Sequence, residues 1–244
     1  MTGLRIDEGN EDRTGLSPSP NPQSAIGYPP QRVNPQFIVF EGPEGGGKST
    51  QVRAAAAALR AAGVPVTATR EPGGTAIGEQ IRAVLLQPEN RAMLPETETL
   101  LLLAARAQHA TEVIIPALGR GEVVLCDRFV GATYAYQGYG RGLSLAMLRQ
   151  LQGFAVGALV PDLTLLYDLP EEIGLARRQS AGDVNRLDAA GVEFHRRVRE
   201  GYLALAADDP EHWAVIDATQ PIAAVTEQTL ATLGQRLGVT LTVG

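Results

Sequence analysis

Lys48 is the only lysine among the 21 Lys and Arg side chains of this sequence, and it stands in Gly42-Pro43-Glu44-Gly45-Gly46-Gly47-Lys48-Ser49. That run fits G-x-x-x-x-G-K-[ST]. Glycines in such a loop let the backbone curl until its N–H groups converge on an anion. The helix that follows offers its positive end to the same charge. An ammonium is a compact point charge for outer phosphates, a task a planar guanidinium does not share. The Ser49 hydroxyl is placed to ligate Mg²⁺, with Thr50 beside it at the start of the helix. The chemistry indicated is the grip of a nucleoside triphosphate.

Two common relatives of this loop are excluded by their missing partners. A guanine reader of the N-K-x-D type cannot be present, because the only lysine is already in the loop. A water-activating ATPase strand would end Asp-Glu, whereas the apolar run Val123–Cys126 is followed by Asp127 and Arg128. An acid followed by a base suits metal handling plus a second anion. Further candidates for that anion are Arg70 in Thr69-Arg70-Glu71-Pro72-Gly73-Gly74-Thr75 and Arg106 on a long apolar helix. Beyond Phe129 lies Tyr134-Ala135-Tyr136-Gln137-Gly138-Tyr139-Gly140-Arg141-Gly142. Each has a plainer alternative: a sheet-end ion pair for Arg70, a buried structural pair for Arg106, and loop packing for Tyr136 and Gln137. The stretch Arg177–Asp188 is a polar, basic loop between helices, either a catalytic lid or a solvated run of charge.

These residues need a scaffold, and the hydropathy pattern supplies one. Short apolar runs at Phe37–Phe40, Val64–Thr69, Val123–Cys126, Leu163–Tyr167 and Trp213–Ile216 read as strands buried on both faces. Helical stretches lie between and after them: Lys48–Ala62, Glu96–Leu118, Ser144–Ala158, Pro170–Ala181, Val192–Ala206 and Pro221–Leu237. The Thr69–Thr75 loop also precedes a helix. The run Leu100–Ala105 is apolar all round and predicts deep burial. Alternating strands and helices give an α/β fold with a parallel sheet. Residues 1–34 are rich in Pro and Ser, with few large apolar side chains, and read as a disordered tail ahead of one domain over 35–244. A net charge of −6 argues against a nucleic-acid binder. No apolar run reaches the roughly 20 residues of a membrane span. Cys126, the lone cysteine, suits a reducing cytoplasm and reads as core.

Taken in order, Phe40–Thr50, Thr69–Thr75, Ala104-Ala105-Arg106-Ala107-Gln108-His109, Asp127-Arg128-Phe129, Ala135–Gly138 and Ile216–Pro221 resemble bacterial thymidylate kinase, from about Phe37 to the last helix. The resemblance implies a P-loop nucleoside-monophosphate-kinase-like fold: a five-stranded parallel sheet, helices on both faces and a lid at about 177–190. It implies a homodimer that transfers the γ-phosphoryl of ATP to dTMP with Mg²⁺. By resemblance, Gly42, Glu44, Gly45, Gly46, Gly47, Lys48, Ser49, Thr50 and Arg177 hold ATP. Arg70 and Arg128 clamp the acceptor phosphate, and Arg106 and Gln137 read the thymine edge. Tyr136 lies against the deoxyribose, Glu44 near the acceptor's sugar, and Ser49 and Asp127 at the metal. Gly45 stands where one branch of the family carries a catalytic arginine, so Arg178 and Arg186 of the lid are the expected suppliers of that charge. Two positions depart from the family: Leu102 replaces the phenylalanine that stacks on thymine, and Ala132 replaces a serine. Both fall around the base, which leaves open a monophosphate kinase of altered base preference. A catalytically inactive nucleotide-binding regulator is the third reading.

Overall fold

The computed structural model describes residues 37–182, 186, 187 and 190–242. The tail over 1–34, and residues 183–185, 188 and 189 of the expected lid, lie outside the described residues. Strands β1 (Phe37–Glu41), β2 (Val66–Arg70), β3 (Val123–Asp127), β4 (Leu163–Asp168) and β5 (Trp213–Asp217) form an all-parallel sheet in the order β2-β3-β1-β4-β5. Each strand runs one residue past its last expected position, and that residue is charged: Glu41, Arg70, Asp127, Asp168 or Asp217. The sheet is therefore apolar along its length and ionic at its carboxyl edge. Arg70 and Asp127 are register partners there.

Alternation along β1 explains why the sheet needs cover on both sides. Ile38 and Phe40 enter one core with Val52, Ala55 and Leu59 of α1 (Lys48–Ala61) and with Leu230 and Leu233 near the chain's end. Phe37 and Val39 enter the opposite core with Ile114, Ala117, Val124, Cys126 and Phe129. Cys126 is buried, as its place at the end of an apolar run requires.

The helix after the Thr69–Thr75 loop is α2 (Ala76–Leu86), started by Thr75, whose hydroxyl accepts from the Gly78 N–H at 2.9 Å. The expected helix over Glu96–Leu118 is two helices joined by a wider turn. α3 (Pro95–His109) passes through a π-helical turn at Ala110–Ile114 into α4 (Ile115–Gly119). Pro116 is the physical reason, since its ring and missing N–H do not fit an unbroken α-helical ladder. Deep burial of Leu100–Ala105 also needs correction. Leu103 and Ala105 face inward, whereas Leu100 is 59% exposed. The segment read as loop after Phe129 is helical: α5 (Val130–Thr133), then a π-helical run over Tyr134–Gly140. The remaining helices are α6 (Leu145–Val156), α7 (Glu171–Ala181), α8 (Val192–Asp208) and α9 (Ile222–Leu237). Among the described residues, no helix is long and apolar enough to cross a membrane.

Candidate active site

A cleft of about 910 Å³ opens along the carboxyl edge of the sheet, where open α/β sheets bind ligands. The phosphate loop forms one end of it. Gly42 takes φ +139°, and a Cβ there would lie 2.5 Å from the Tyr167 carbonyl oxygen. Gly45 takes φ +72° and packs against the backbone of Gly174 on α7, where any side chain would collide with the Gly174 carbonyl. A loop arginine at position 45 is thus excluded by packing.

Lys48 is buried and donates from Nζ to the carbonyls of Gly42 at 3.0 Å and Pro43 at 2.7 Å. Burial pulls its ammonium down to about 8; Arg128 adds to that effect, and Glu44, Asp127 and Glu41 oppose it. The Ser49 hydroxyl donates to Asp127 Oδ2, which joins the loop to the end of β3.

Arg128 sits at φ +70°, the only non-glycine residue with positive φ among the described residues. Such strain persists where surrounding contacts over-determine it. Its Nη1 donates to the Gly42 carbonyl and the Tyr202 hydroxyl, both at 3.0 Å. Its Nη2 donates to Glu44 Oε1 at 2.9 Å and to the Tyr136 hydroxyl at 3.2 Å. Burial would raise the Glu44 carboxyl, yet Arg128, then Lys48 and Arg178, hold it at about 2. One guanidinium thus ties the phosphate loop to Tyr136 and Tyr202.

Arg106 is almost fully buried on α3 and spends most of its donors on protein. Nε reaches Glu71 at 2.6 Å, Nη1 reaches Thr133 and Gln152, each at 2.9 Å, and Nη2 reaches the Phe129 carbonyl at 2.8 Å. One N–H of Nη2 remains for a ligand. Gln137 donates from Nε2 to Glu98 at 2.7 Å, while its Oε1 is buried without a partner among the described residues. Both residues line the cleft, as do Leu102 and Ala132. Arg70 also lines it and pairs through Nη2 with Glu79 at 2.9 Å, so the plainer sheet-end pair exists alongside a ligand-facing position.

A family model for thymidylate kinase matches residues 40–229. A thymidylate kinase of Pseudomonas fluorescens (strain Pf0-1) is 56% identical over 197 residues, covering 81% of this chain and 93% of that protein. One from Thermomicrobium roseum is 54% identical over 198 residues, covering 81% and 93% in the same sense. The chain belongs to the thymidylate kinase family. Its activity is that of a dTMP kinase, a phosphotransferase, and the sheet and loop described above are the fold this family requires.

Measured against the family expectation, the structure gathers Glu44, Gly45, Gly47, Lys48, Ser49, Thr50, Arg70, Leu102, Arg106, Asp127, Arg128, Tyr136, Gln137, Arg177 and Arg178 around one cleft. Gly42 and Gly46 support it from behind, against the Tyr167 carbonyl. Arg177 donates to the carbonyls of Gly45 at 3.3 Å and Ala218 at 2.9 Å, which places it beside the phosphate loop. Arg186 is not brought to the loop. Its guanidinium is buried against Glu98 at 2.5 Å and the Leu85 carbonyl at 2.9 Å.

Sequence reasoning passed over several contributors. Arg82 on α2 lines the cleft and donates to the Pro72 carbonyl at 2.8 Å. Burial lowers its guanidinium, as does Arg70, against Glu79 and Asp127. Glu41, fully buried, accepts from the N–H groups of Phe129 and Ala132, both at 2.9 Å, and from the Tyr202 hydroxyl at 2.8 Å. Its signal was available: a carboxylate directly after FIVF has to find donors indoors. At position 132 it is the backbone N–H, which any residue but proline would supply, that takes part.

Proposed function

We propose that the two ends of the cleft hold ATP and dTMP in line. A phosphate oxygen of dTMP attacks Pγ, the bond from Pγ to the β,γ-bridging oxygen breaks, and ADP leaves with that electron pair. The attacking oxygen is already anionic at neutral pH, so no side chain has to remove a proton first. The protein's task is to hold two repelling anions together and to neutralise charge on the transferred group.

Lys48 exchanges its hold on the Gly42 and Pro43 carbonyls for phosphate oxygens of ATP, and the N–H groups of the loop supply the rest. Arg128, kept charged by Glu44, bridges from the loop to the acceptor phosphate, with Arg70 on the far side of that phosphate. Arg178 supplies lid charge: it lines the cleft and its field already reaches Glu44. Arg177 lies toward the base of ATP. Tyr136, whose ring stands 5.0 Å from the Arg128 guanidinium carbon, lies beside the sugar of dTMP. Ser49 and Asp127 already meet as two hard oxygen donors, a set that suits a Mg²⁺ ion completed by phosphate and water. When bound, that ion neutralises charge on the phosphates of ATP.

The base is read by Arg106 and Gln137, with Leu102 as an apolar wall. The single observation that carries this reading is the pair of polar groups left over there, one N–H on Arg106 Nη2 and one acceptor on Gln137 Oε1. Thymine offers a carbonyl and an adjacent N–H, which is the complementary pair. The working protein is further proposed to be a cytoplasmic homodimer, its kinase domain spanning 35–244 and its lid about 177–190. Exposed apolar side chains on α3 and α6, Leu100 and Phe154, supply a surface for pairing. An acceptor panel of dTMP, dUMP, UMP, dCMP and dGMP tests the assignment. The expected order places dTMP first by kcat/KM, and dTMP ranking below another acceptor would contradict it.

A further inference from the structure

Glu98 lies on α3 with its side chain almost fully buried, outside every role given above. Its carboxylate accepts from three side chains on separate parts of the chain. Gln137 Nε2 lies at 2.7 Å, Arg141 Nη2 at 3.1 Å with its Nε at 3.5 Å, and Arg186 Nη2 at 2.5 Å. Burial would raise this carboxyl, but the bonds from Gln137, Arg141 and Arg186 hold it below the usual range, so it is ionised at neutral pH.

An ionised carboxylate can only accept. The end of the Gln137 amide that faces Glu98 must therefore be the NH₂, and the carbonyl oxygen is what remains for the cleft. If Glu98 could donate, the amide could turn over and present an NH₂ instead. The two orientations match opposite hydrogen-bonding patterns at N3 of a pyrimidine. An acceptor beside the Arg106 donor suits a base with a 4-carbonyl and N3–H, whereas a donor in that place suits the bare N3 of a 4-amino base, although Arg106 still opposes the 4-amino group itself.

We infer that Glu98 is a specificity-positioning residue: by fixing the Gln137 amide, it makes the acceptor site select 4-keto over 4-amino pyrimidine monophosphates. Arg186, buried beside it, keeps the carboxylate charged and in place, while the more exposed Arg141 only adds to that field. Arg186 belongs to the segment between α7 and α8, so the selectivity element is anchored by that residue as well. The inference rests on the proposed base reading by Arg106 and Gln137.

The test compares kcat/KM for dUMP, dCMP and dTMP in wild-type protein, Glu98→Gln and Arg141→Met. The dUMP/dCMP ratio isolates the keto-amino choice, since neither base carries the 5-methyl group. The dTMP/dUMP ratio reports the methyl contact alone. In Glu98→Gln, the first ratio should fall about tenfold or more, while the second stays within about twofold; a loosened pocket would lower both. Arg141→Met weakens the ion pair but keeps the Gln137–Glu98 bond, and it should retain the wild-type dUMP/dCMP ratio. If Glu98→Gln does not fold, Glu98→Asp serves in its place, because it keeps the charge yet withdraws the acceptor from Gln137 by one methylene. An unchanged dUMP/dCMP ratio in the folded Glu98 variant, or an equal fall in Arg141→Met, would overturn the inference while leaving the base reading intact. Wild-type protein that used dCMP as well as dUMP would overturn the base reading and the inference with it.

Discussion

The two ends of the cleft are built on different principles. The donor end is local: eight consecutive residues, Gly42 to Ser49, supply the curled backbone, the ammonium and the hydroxyl. Its geometry is enforced by backbone against backbone, as where Gly45 meets Gly174. The proposed acceptor end is dispersed. Arg106 and Glu98 come from α3, Glu71 from the loop after β2, Gln137 from the π-helical run, and Arg141 and Arg186 from farther along. Its geometry is enforced by buried hydrogen-bonded charge, in which the loss of a fully buried partner strands the others. A local backbone site tolerates changes around it and few within it. A dispersed side-chain network can change its selectivity through residues that never touch the ligand.

The sharpest way to break this contrast lies at the donor end. Lys48→Arg conserves charge but not shape, and kcat should fall at least a hundredfold in a coupled assay. A near-normal kcat would show that the loop needs only a positive charge. Arg128→Met comes next, since Arg128 joins the two ends. Its loss also leaves Glu44 without its principal counter-charge, so kcat/KM for dTMP should fall about a hundredfold, with a smaller rise in KM for ATP.

The pH dependence sharpens the same distinction more gently. With its ammonium lowered to about 8, Lys48 is increasingly neutral above that pH, and ATP must bind with uptake of a proton. The value of kcat/KM for ATP should decline above about pH 8, by up to tenfold per unit, while kcat at saturating ATP changes less. Stability responds with the opposite sign. Between about 8 and the ordinary value of 10.5, the unfolded chain holds more proton on this lysine than the folded one, so its destabilising contribution fades as pH rises. The smallest effect belongs to the acceptor end: Leu102→Phe adds a flat ring face, and KM for dTMP should drop by no more than about tenfold.

The same division governs what could be read in the sequence. The donor loop was legible because its spacing is contiguous and its chemistry needs glycine and lysine at fixed offsets. The strands were legible from apolar runs, although each continued to a charged residue that hydropathy alone would leave in a loop. Glu98 carried no such signal. One glutamate in Pro95–His109 looks like any other until folding sets it beside Gln137, Arg141 and Arg186. Arg82 was passed over for the same reason. Arg186 shows the converse: its type and neighbourhood suggested lid charge, and only the packed structure ties it to Glu98 instead. Leu100 followed the rule for an all-round apolar helix, which assumes cover that the described residues do not provide.

That one continuous cleft holds both nucleotides in line can be tested with a dinucleotide carrying adenosine and thymidine at opposite ends of a five-phosphate chain. Steady-state inhibition should be competitive against ATP and also against dTMP. Competition with one substrate and not the other would contradict the account, because the two sites would then not form the single in-line path proposed here.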